Sequence, residues 1–357
     1  MSFRLRKAMV LAAGFGKRLR PLSVGCAKPA FPLMGRPLIE YIFRRLANAG
    51  LTEAVVNLHH HLETVIPSLE RAPKELTIHQ SIETELLGTA GGLKKVECHF
   101  ASEDAFLLLN ADTLVDFDLD TMMRVHQDSG ALATLLLRPK PSRSPYSTVS
   151  VEADGRIDSI TTGGSDGEWM FAGVWILSPK ILERLSVAPG GLEKALLPGL
   201  IAERAAYACP QKPNWVTIDT PTRYWGACLM MARERLFEDD WNVERVSDCG
   251  PANVWAGTGT SIEAGVEFHG DVVLGAGCHV GRGARIERTI CWDQVDVPRG
   301  TRLDNCVITE GVRLRPEMQL TDRLVMRLAG VGSELRKREI VDGLLVANLK
   351  SERMRGL

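Results

Sequence analysis

The segment Leu11-Ala12-Ala13-Gly14-Phe15-Gly16-Lys17-Arg18-Leu19-Arg20-Pro21 closes an apolar run. Soon after it comes Ala27-Lys28-Pro29. Glycines at such a point let backbone N–H groups approach phosphate oxygens. Lys17, Arg18, Arg20 and Lys28 supply the positive charge that a polyphosphate requires. The loop is not a Walker A loop, because no Gly-Lys-Ser/Thr follows four spacers. Nor is it a dinucleotide fingerprint, because Leu19 stands at the third glycine position. A second candidate is the apolar run Leu107-Leu108-Leu109, which ends in Asn110-Ala111-Asp112. A carboxylate at the end of a buried strand is poised to hold Mg²⁺ against phosphates.

The elements that must position these residues alternate in type. Short apolar runs at Ala8–Ala12, Glu53–Leu58, Leu76–His79, Ala105–Leu109, Ala131–Leu137, Thr148–Val151 and Gly173–Leu177 read as strands. Between the first two, Leu38, Ile39, Ile42, Leu46 and Ala49 keep a helical stripe. Pro37 is expected in its first turn and Gly50 as its stop. Such alternation indicates an α/β layer fold with a Rossmann-like, mostly parallel sheet. Ligands then bind at the carboxyl ends of the strands. Pro221–Phe237 reads as a closing helix.

The period then changes. Ile262, Phe268, Leu274, Val280, Ile286 and Trp292 recur every six residues. A second series, Val266, Val272, Cys278, Ala284 and Ile290, leads the first by four. After a one-residue slip the pattern resumes at Val297 and Leu303. A period of six fits a short parallel β-helix, expected to be left-handed, with roughly three coils between residues 254 and 316. The expected organisation is a catalytic domain over 1–237, a linker over 238–253, the β-helix over 254–316 and a tail over 317–357.

The first segment resembles the sugar-nucleotide pyrophosphorylase family, whose signature LAAGxGxRLxPxT…PKPLxP appears here as LAAGFGKRLRPLS…AKPAFPLMGRPLIEYI. Serine stands for threonine at Ser23, and alanine for the first proline at Ala27. The resemblance implies that Arg18 and Lys28 clamp phosphates, that Asp112 binds the metal, and that Leu11, Ala12, Ala13, Gly14 and Gly16 line the nucleotide. Gln80 and Leu87-Gly88-Thr89-Ala90-Gly91 resemble the base-recognition strand and its loop, so Gln80, Gly88 and Thr89 are implied nucleotide contacts. Trp215 to Tyr224, WVTIDTPTRY, resembles the element WxDxGTPxxY, which carries a second metal aspartate. Here Thr217 stands at the aspartate and Asp219 at the glycine. Asp219 is then either a displaced metal ligand or the cap of the helix that follows.

On the acceptor side, Tyr146 stands where relatives often carry Tyr-Gly. Gly173, in Phe171-Ala172-Gly173-Val174, resembles the strand lining the sugar pocket. The usual Glu-Lys-Pro is missing, and residues 157–164 read IDSITTGG. Residues 289–312 resemble the rungs of mannose 1-phosphate guanylyltransferases and glucose 1-phosphate adenylyltransferases. The implied reaction joins a sugar 1-phosphate to a nucleoside triphosphate with Mg²⁺ and releases pyrophosphate. Mannose 1-phosphate with GTP is the leading pair. Glucose 1-phosphate with UTP or ATP, N-acetylmuramate 1-phosphate with UTP, and a non-catalytic regulatory subunit are the rivals.

Bulk properties bound the rest. The chain has 357 residues, 43 basic and 44 acidic, for a net charge of -1, which argues against a general nucleic-acid binder. No apolar run would span a membrane and no signal-peptide pattern opens the chain, so a cytoplasmic protein without a membrane partner is expected. The eight cysteines are scattered without a CxxC pair and read as reduced structural thiols. His59-His60-His61 reads as a polar loop. A short β-helix leaves open edges, so a homo-oligomer is expected.

Overall fold

The first apolar run forms β1 (Lys7–Leu11), in which Ala8, Met9 and Val10 are fully buried. Strands β2 (Glu53–Leu58), β3 (Thr77–Ile82) and β4 (Phe106–Asn110) run parallel to it in the order β3-β2-β1-β4. Helices α1 (Leu38–Asn48), α2 (Leu62–Glu70) and α3 (Gly88–Lys95) occupy the connections, as parallel pairing requires. Gly50 takes a left-handed φ just past α1. Pro37 lies outside the helix, in a two-residue ladder that Arg36–Pro37 makes with Pro32–Leu33.

The computed structural model describes residues 3–142, 144–162, 167–247, 249–327, 340–341 and 343–350. Packing divides the chain into two units, residues 1–14 with 42–216 and residues 15–41 with 217–357. This division cuts across the expected boundary at residue 237.

In the first unit the sheet continues through β5 (Ala133–Pro139), β6 (Thr148–Val151), β7 (Ile157–Thr161), β8 (Trp169–Leu177) and β9 (Ala206–Pro210). The parallel core is the expected one, but β8 runs antiparallel to both β4 and β5. Among the described residues, the chain between β5 and β8 carries the antiparallel pair β6–β7 and no crossover helix. Gly163 and Gly164 of the segment that departs from the family pattern lie outside the described residues. Helices α4 (Leu119–Ser129) and α5 (Leu192–Ala202) complete the unit. Its core joins Met9, Leu108, Trp175, Leu196 and Ala208.

On α4, His126 is 4% exposed and its Nδ1 lies 2.9 Å from the Thr134 hydroxyl. Burial lowers its pKa to about 4, whereas a solvated imidazole titrates at about 6.5. The unfolded chain therefore takes up the proton first. Stability contributed by neutral His126 is present above about pH 6.5 and is lost as pH falls toward 4, on the order of 3 kcal/mol at most. Urea unfolding at pH 7 and pH 5 should show this loss, and His126→Gln should shrink it.

The second unit contains the coils. Three faces stack in parallel: 253–257, 271–274, 290–291, 307–308 and 323–327 on the first, 261–262, 279–280 and 296–297 on the second, and 267–269, 285–287, 302–304 and 319–321 on the third. This parallel β-helix carries a fourth turn beyond the three expected, because Leu303 pairs with Leu320 and Ile308 with Val325 past residue 316. Phe268, Ile286, Leu303 and Leu320 stack in its interior, as do Leu274, Cys291, Ile308 and Val325.

The slip also lies earlier than the apolar series suggests. Glu267 pairs with Arg285 eighteen residues on, but Arg285 pairs with Arg302 after seventeen. Leu274 is opposite Cys291, so Cys291 rather than Trp292 continues the interior series. The corner at Glu287-Arg288-Thr289 is one residue shorter than the one at 269–272, with Arg288 at φ 41°. Of the expected tail, Leu344–Asn348 pairs antiparallel with Arg323–Arg327; residues 328–339, 342 and 351–357 lie outside the described residues. The expected linker is likewise partly structured, since Val243–Arg245 pairs with 255–257.

Helix α6 (Pro221–Glu234) belongs to this unit for physical reasons. Phe31, Tyr224 and Trp292 pack edge to face with centroids 5.4 to 6.1 Å apart. The Trp225 indole donates to the Arg288 carbonyl at 2.8 Å, and Arg233 pairs with Asp271 at 3.1 Å. Cys228, Cys278, Cys291 and Cys306 are buried, and burial pushes Cys228 and Cys306 up to about 12. Such thiols are inert packing groups.

Candidate active site

In the first unit, β1 delivers Leu11, Ala12, Ala13 and Gly14 beside the end of β4. Leu11 pairs with Asn110, and the Ala111 N–H donates to the Leu11 carbonyl at 3.0 Å. Asp112 therefore sits next to the start of the glycine loop. It is partly buried, and one carboxylate oxygen accepts from the Thr113 hydroxyl at 3.0 Å. Gly173 in β8 faces the same strand end. Its φ is +94°, and an added Cβ would lie 3.4 Å from Asn110 Nδ2. Tyr146 packs edge to face on Trp215 at 5.8 Å, and the Trp215 indole donates to the Ala172 carbonyl at 3.1 Å. Trp215 thus links Tyr146 to the strand that carries Gly173, and Gly173 borders Asn110 and Thr113, which lie on either side of Asp112 in sequence.

The nucleotide candidates are arranged around α3. Gln80 is exposed on β3. Gly88 is left-handed at φ +67°, and a side chain there would overlap the Gly190 carbonyl, so only glycine fits. The Thr89 hydroxyl accepts from the Leu192 N–H at 2.6 Å.

Two residues absent from the motif reading join this loop to the first. The Ala12 N–H donates to Asn57 Oδ1 at 2.8 Å, Asn57 Nδ2 donates to Glu83 Oε1 at 2.7 Å, and the Leu87 N–H donates to Glu83 Oε2 at 2.9 Å. Asn57 and Glu83 are 3% and 2% exposed. Because a backbone donor stands at each end, the middle must accept on both oxygens, which a carboxylate does and an amide does not. The only sequence signal was a polar pair near the ends of two strands.

In the second unit, the loop after Gly14 is held by its own polar groups. Gly16 is left-handed at φ +59°, and its carbonyl accepts from the Leu19 N–H at 2.8 Å and the Ser23 hydroxyl at 2.8 Å. Serine in place of threonine keeps that hydroxyl. Arg18 lies in the turn Lys17–Leu19 and Lys28 in the turn Lys28–Ala30. Arg18 Nη1 pairs with Asp219 Oδ2 at 3.1 Å. Asp219 is 5% exposed and also takes Arg223 Nη1 on both oxygens, at 3.1 and 2.9 Å. The cap of α6 is Thr220, whose hydroxyl accepts from the Arg223 N–H at 3.2 Å. Asp219 is therefore not the cap; it anchors two guanidinium groups. Thr217 is partly buried at the end of its strand.

The histidine run holds no shared site. His59 bonds the Glu83 carbonyl at 2.8 Å, and His61 caps α2 in a left-handed conformation. A separate group, Glu53, His79 and His99, has ligand-type atoms within 4.8 Å of one another. Lys7 Nζ lies 3.2 Å from Glu53, so a cation already neutralises that carboxylate.

Residues 7–231 match the nucleotidyl transferase family. The chain belongs to that family. Residues 256–323 match the GlmU-like C-terminal hexapeptide family. The probable mannose-1-phosphate guanylyltransferase 3 of Oryza sativa subsp. japonica is 28% identical over 89% of this chain and 85% of its own length. Mannose-1-phosphate guanylyltransferase 1 of Arabidopsis thaliana is 27% identical over the same shares. UTP–glucose-1-phosphate uridylyltransferase of Synechocystis sp. is 28% identical over 89% of this chain and 87% of its own. In fold, the crystal structure of HddC from Yersinia pseudotuberculosis complexed with GMP-PN matches with a TM-score of 0.55 and 24% identity, over 63% of this chain and 98% of that one. This nucleotidyl transferase is an enzyme of the sugar-phosphate class. Among the described residues no helix is long and apolar enough to cross a membrane.

Proposed function

We propose that this transferase joins GTP to mannose 1-phosphate, giving GDP-mannose and pyrophosphate. The observation that carries this reading is the likeness to relatives named mannose-1-phosphate guanylyltransferases across 89% of the chain. A second reading, glucose 1-phosphate with UTP, is favoured by the comparable likeness to the Synechocystis uridylyltransferase.

In either case the acceptor phosphate oxygen attacks the α-phosphorus, and pyrophosphate leaves from the opposite side. Ala12, Ala13, Gly14 and Gly16 admit the nucleotide phosphates close to the backbone. Gln80, Gly88 and Thr89 border its base and ribose, and Tyr146 and Gly173 border the sugar. Arg18 and Lys28 neutralise charge spreading over the transferring and leaving groups, where fixed donors contribute most. Asp112 offers the hard oxygen donor that suits Mg²⁺, a metal that often takes only one or two carboxylates. When bound, Mg²⁺ would neutralise the phosphate oxygens. With both of its oxygens on guanidinium groups, Asp219 is read here as the anchor of Arg18, leaving Asp112 as the metal carboxylate. A homo-oligomer is part of the proposal and is checked by light scattering.

The test is pyrophosphate release across GTP, UTP and ATP with mannose 1-phosphate, glucose 1-phosphate and N-acetylmuramate 1-phosphate. GTP with mannose 1-phosphate should give the highest kcat/KM, and EDTA should abolish release. A higher kcat/KM for UTP with glucose 1-phosphate would establish the second reading. No turnover with any pair would reject both.

A further inference from the structure

Arg138 lies near the end of β5 and opposite Met170 of β8. Its guanidinium sits 4.6 Å above the Trp215 ring, the ring that Tyr146 meets edge-on and that binds the Ala172 carbonyl. The residue is half-buried, and among the described residues no carboxylate pairs with it. Its Nε is fully buried without a hydrogen-bond partner. By contrast, the buried carboxylate of Glu83 in the same unit is matched by two donors. A partly desolvated cation that makes no ion pair carries a cost, and the indole beneath it offsets only part of that cost. Burial pulls its pKa below the ordinary guanidinium value, with the Tyr146 hydroxyl acting in the opposite direction.

We propose that Arg138 is the anion-binding residue of the acceptor pocket and takes an oxyanion carried by the sugar substrate. This rests on the transferase reading above. The shape of the site supports it. The Trp215 ring lies under the guanidinium and donates to the Ala172 carbonyl, and Gly173, next in the same strand, borders Asn110 and Thr113. A planar fork of N–H donors matches phosphate or carboxylate oxygens two at a time, which a lysine does not. The segment 157–164, where relatives carry Glu-Lys-Pro, contains no cation at all in this chain. The acceptor side therefore has to draw its positive charge from elsewhere. Arg138 is a cation left without an anion beside the sugar-pocket residues Tyr146 and Gly173. The ligand class is an anionic sugar, and the anion is either its 1-phosphate or a carboxylate substituent on the ring.

The test compares Arg138→Met, which keeps an apolar stem on Trp215, and Arg138→Lys with the full-length wild type. Two acceptors are used, mannose 1-phosphate and glucuronic acid 1-phosphate. Each is measured by the melting shift it induces without nucleotide and by its KM at saturating GTP or UTP. Loss of one charge-assisted pair should raise KM at least about tenfold and remove most of the acceptor-induced shift, with KM for the nucleotide unchanged. Arg138→Lys should recover only part of this. An equal loss for both acceptors assigns the phosphate, and a loss confined to glucuronic acid 1-phosphate assigns the carboxylate. The melting temperature without ligand should hold or rise in Arg138→Met, because a half-buried charge without an ion-pair partner and an unmatched Nε have been removed. A variant that melts lower but keeps its acceptor KM and shift would make Arg138 a structural prop and overturn the proposal. If the wild type turns over no acceptor, the melting shifts still decide it, so its failure is separable from that of the transferase reading.

Discussion

Asp112→Asn is expected to lower kcat about a thousandfold and to raise the Mg²⁺ concentration that gives half-maximal rate. Two neighbours help to set the residue. The Ala111 N–H holds the strand end to Leu11, and the Thr113 hydroxyl occupies one carboxylate oxygen. Asparagine keeps the volume and one acceptor but removes the charge, so the fold should persist and melting should change little. The size of the effect follows from the task. Groups aimed at developing phosphate charge each contribute a factor of about a hundred to a thousand, and a divalent ion contributes several kcal/mol. No second carboxylate is assigned to share the load, since Thr217 replaces the family aspartate. Titration of rate against Mg²⁺ checks the prediction, and an unchanged kcat would remove Asp112 from the metal.

Arg18→Ala is expected to lower kcat about a hundredfold, as loss of one donor to the transferring group commonly does. Its consequence for Asp219 makes the prediction sharper. Asp219 keeps Arg223 at 2.9 Å in the variant, so no buried charge is stranded and the melting temperature should hold. Asp219→Asn should give a smaller loss, about tenfold or less, because Arg18 keeps its charge and loses only its tether. If the tether acts through Arg18, the two losses will not add: in the Arg18→Ala background, Asp219→Asn should change kcat no further. A double-mutant cycle measures this. An increased Mg²⁺ requirement in Asp219→Asn would instead make the carboxylate a metal ligand.

Much of this was legible along the chain, for a local reason. A buried strand running into Gly14, Gly16, Arg18 and Lys28 is a contiguous pattern, and Asp112 directly follows its own strand. The six-residue period also reports burial rung by rung, so the β-helix could be read without knowing its neighbours. That kind of pattern records which side of an element is buried. It does not record which element lies against it.

What lay across elements was decided by the tertiary structure. The apolar series alone placed the coil slip after Trp292, whereas the pairing of Leu274 with Cys291 places it at the corner of 287–289. The antiparallel course of β8 depends on the hairpin before it. The grouping of α6 with the coils depends on Phe31, Tyr224 and Trp292 meeting from three separate segments. The same holds at the site. Asn57 and Glu83 acquire meaning only because Ala12 and Leu87 present N–H groups to them. In the sequence Asp219 could be a cap or a ligand; the fold gives the cap to Thr220 and sets Arg18 and Arg223 against the Asp219 carboxylate. Arg138 is one arginine among many until its Nε is found buried and unmatched over Trp215. Burial periodicity is written locally, but the matching of donors and charges is a property of residues brought together from distant parts of the chain.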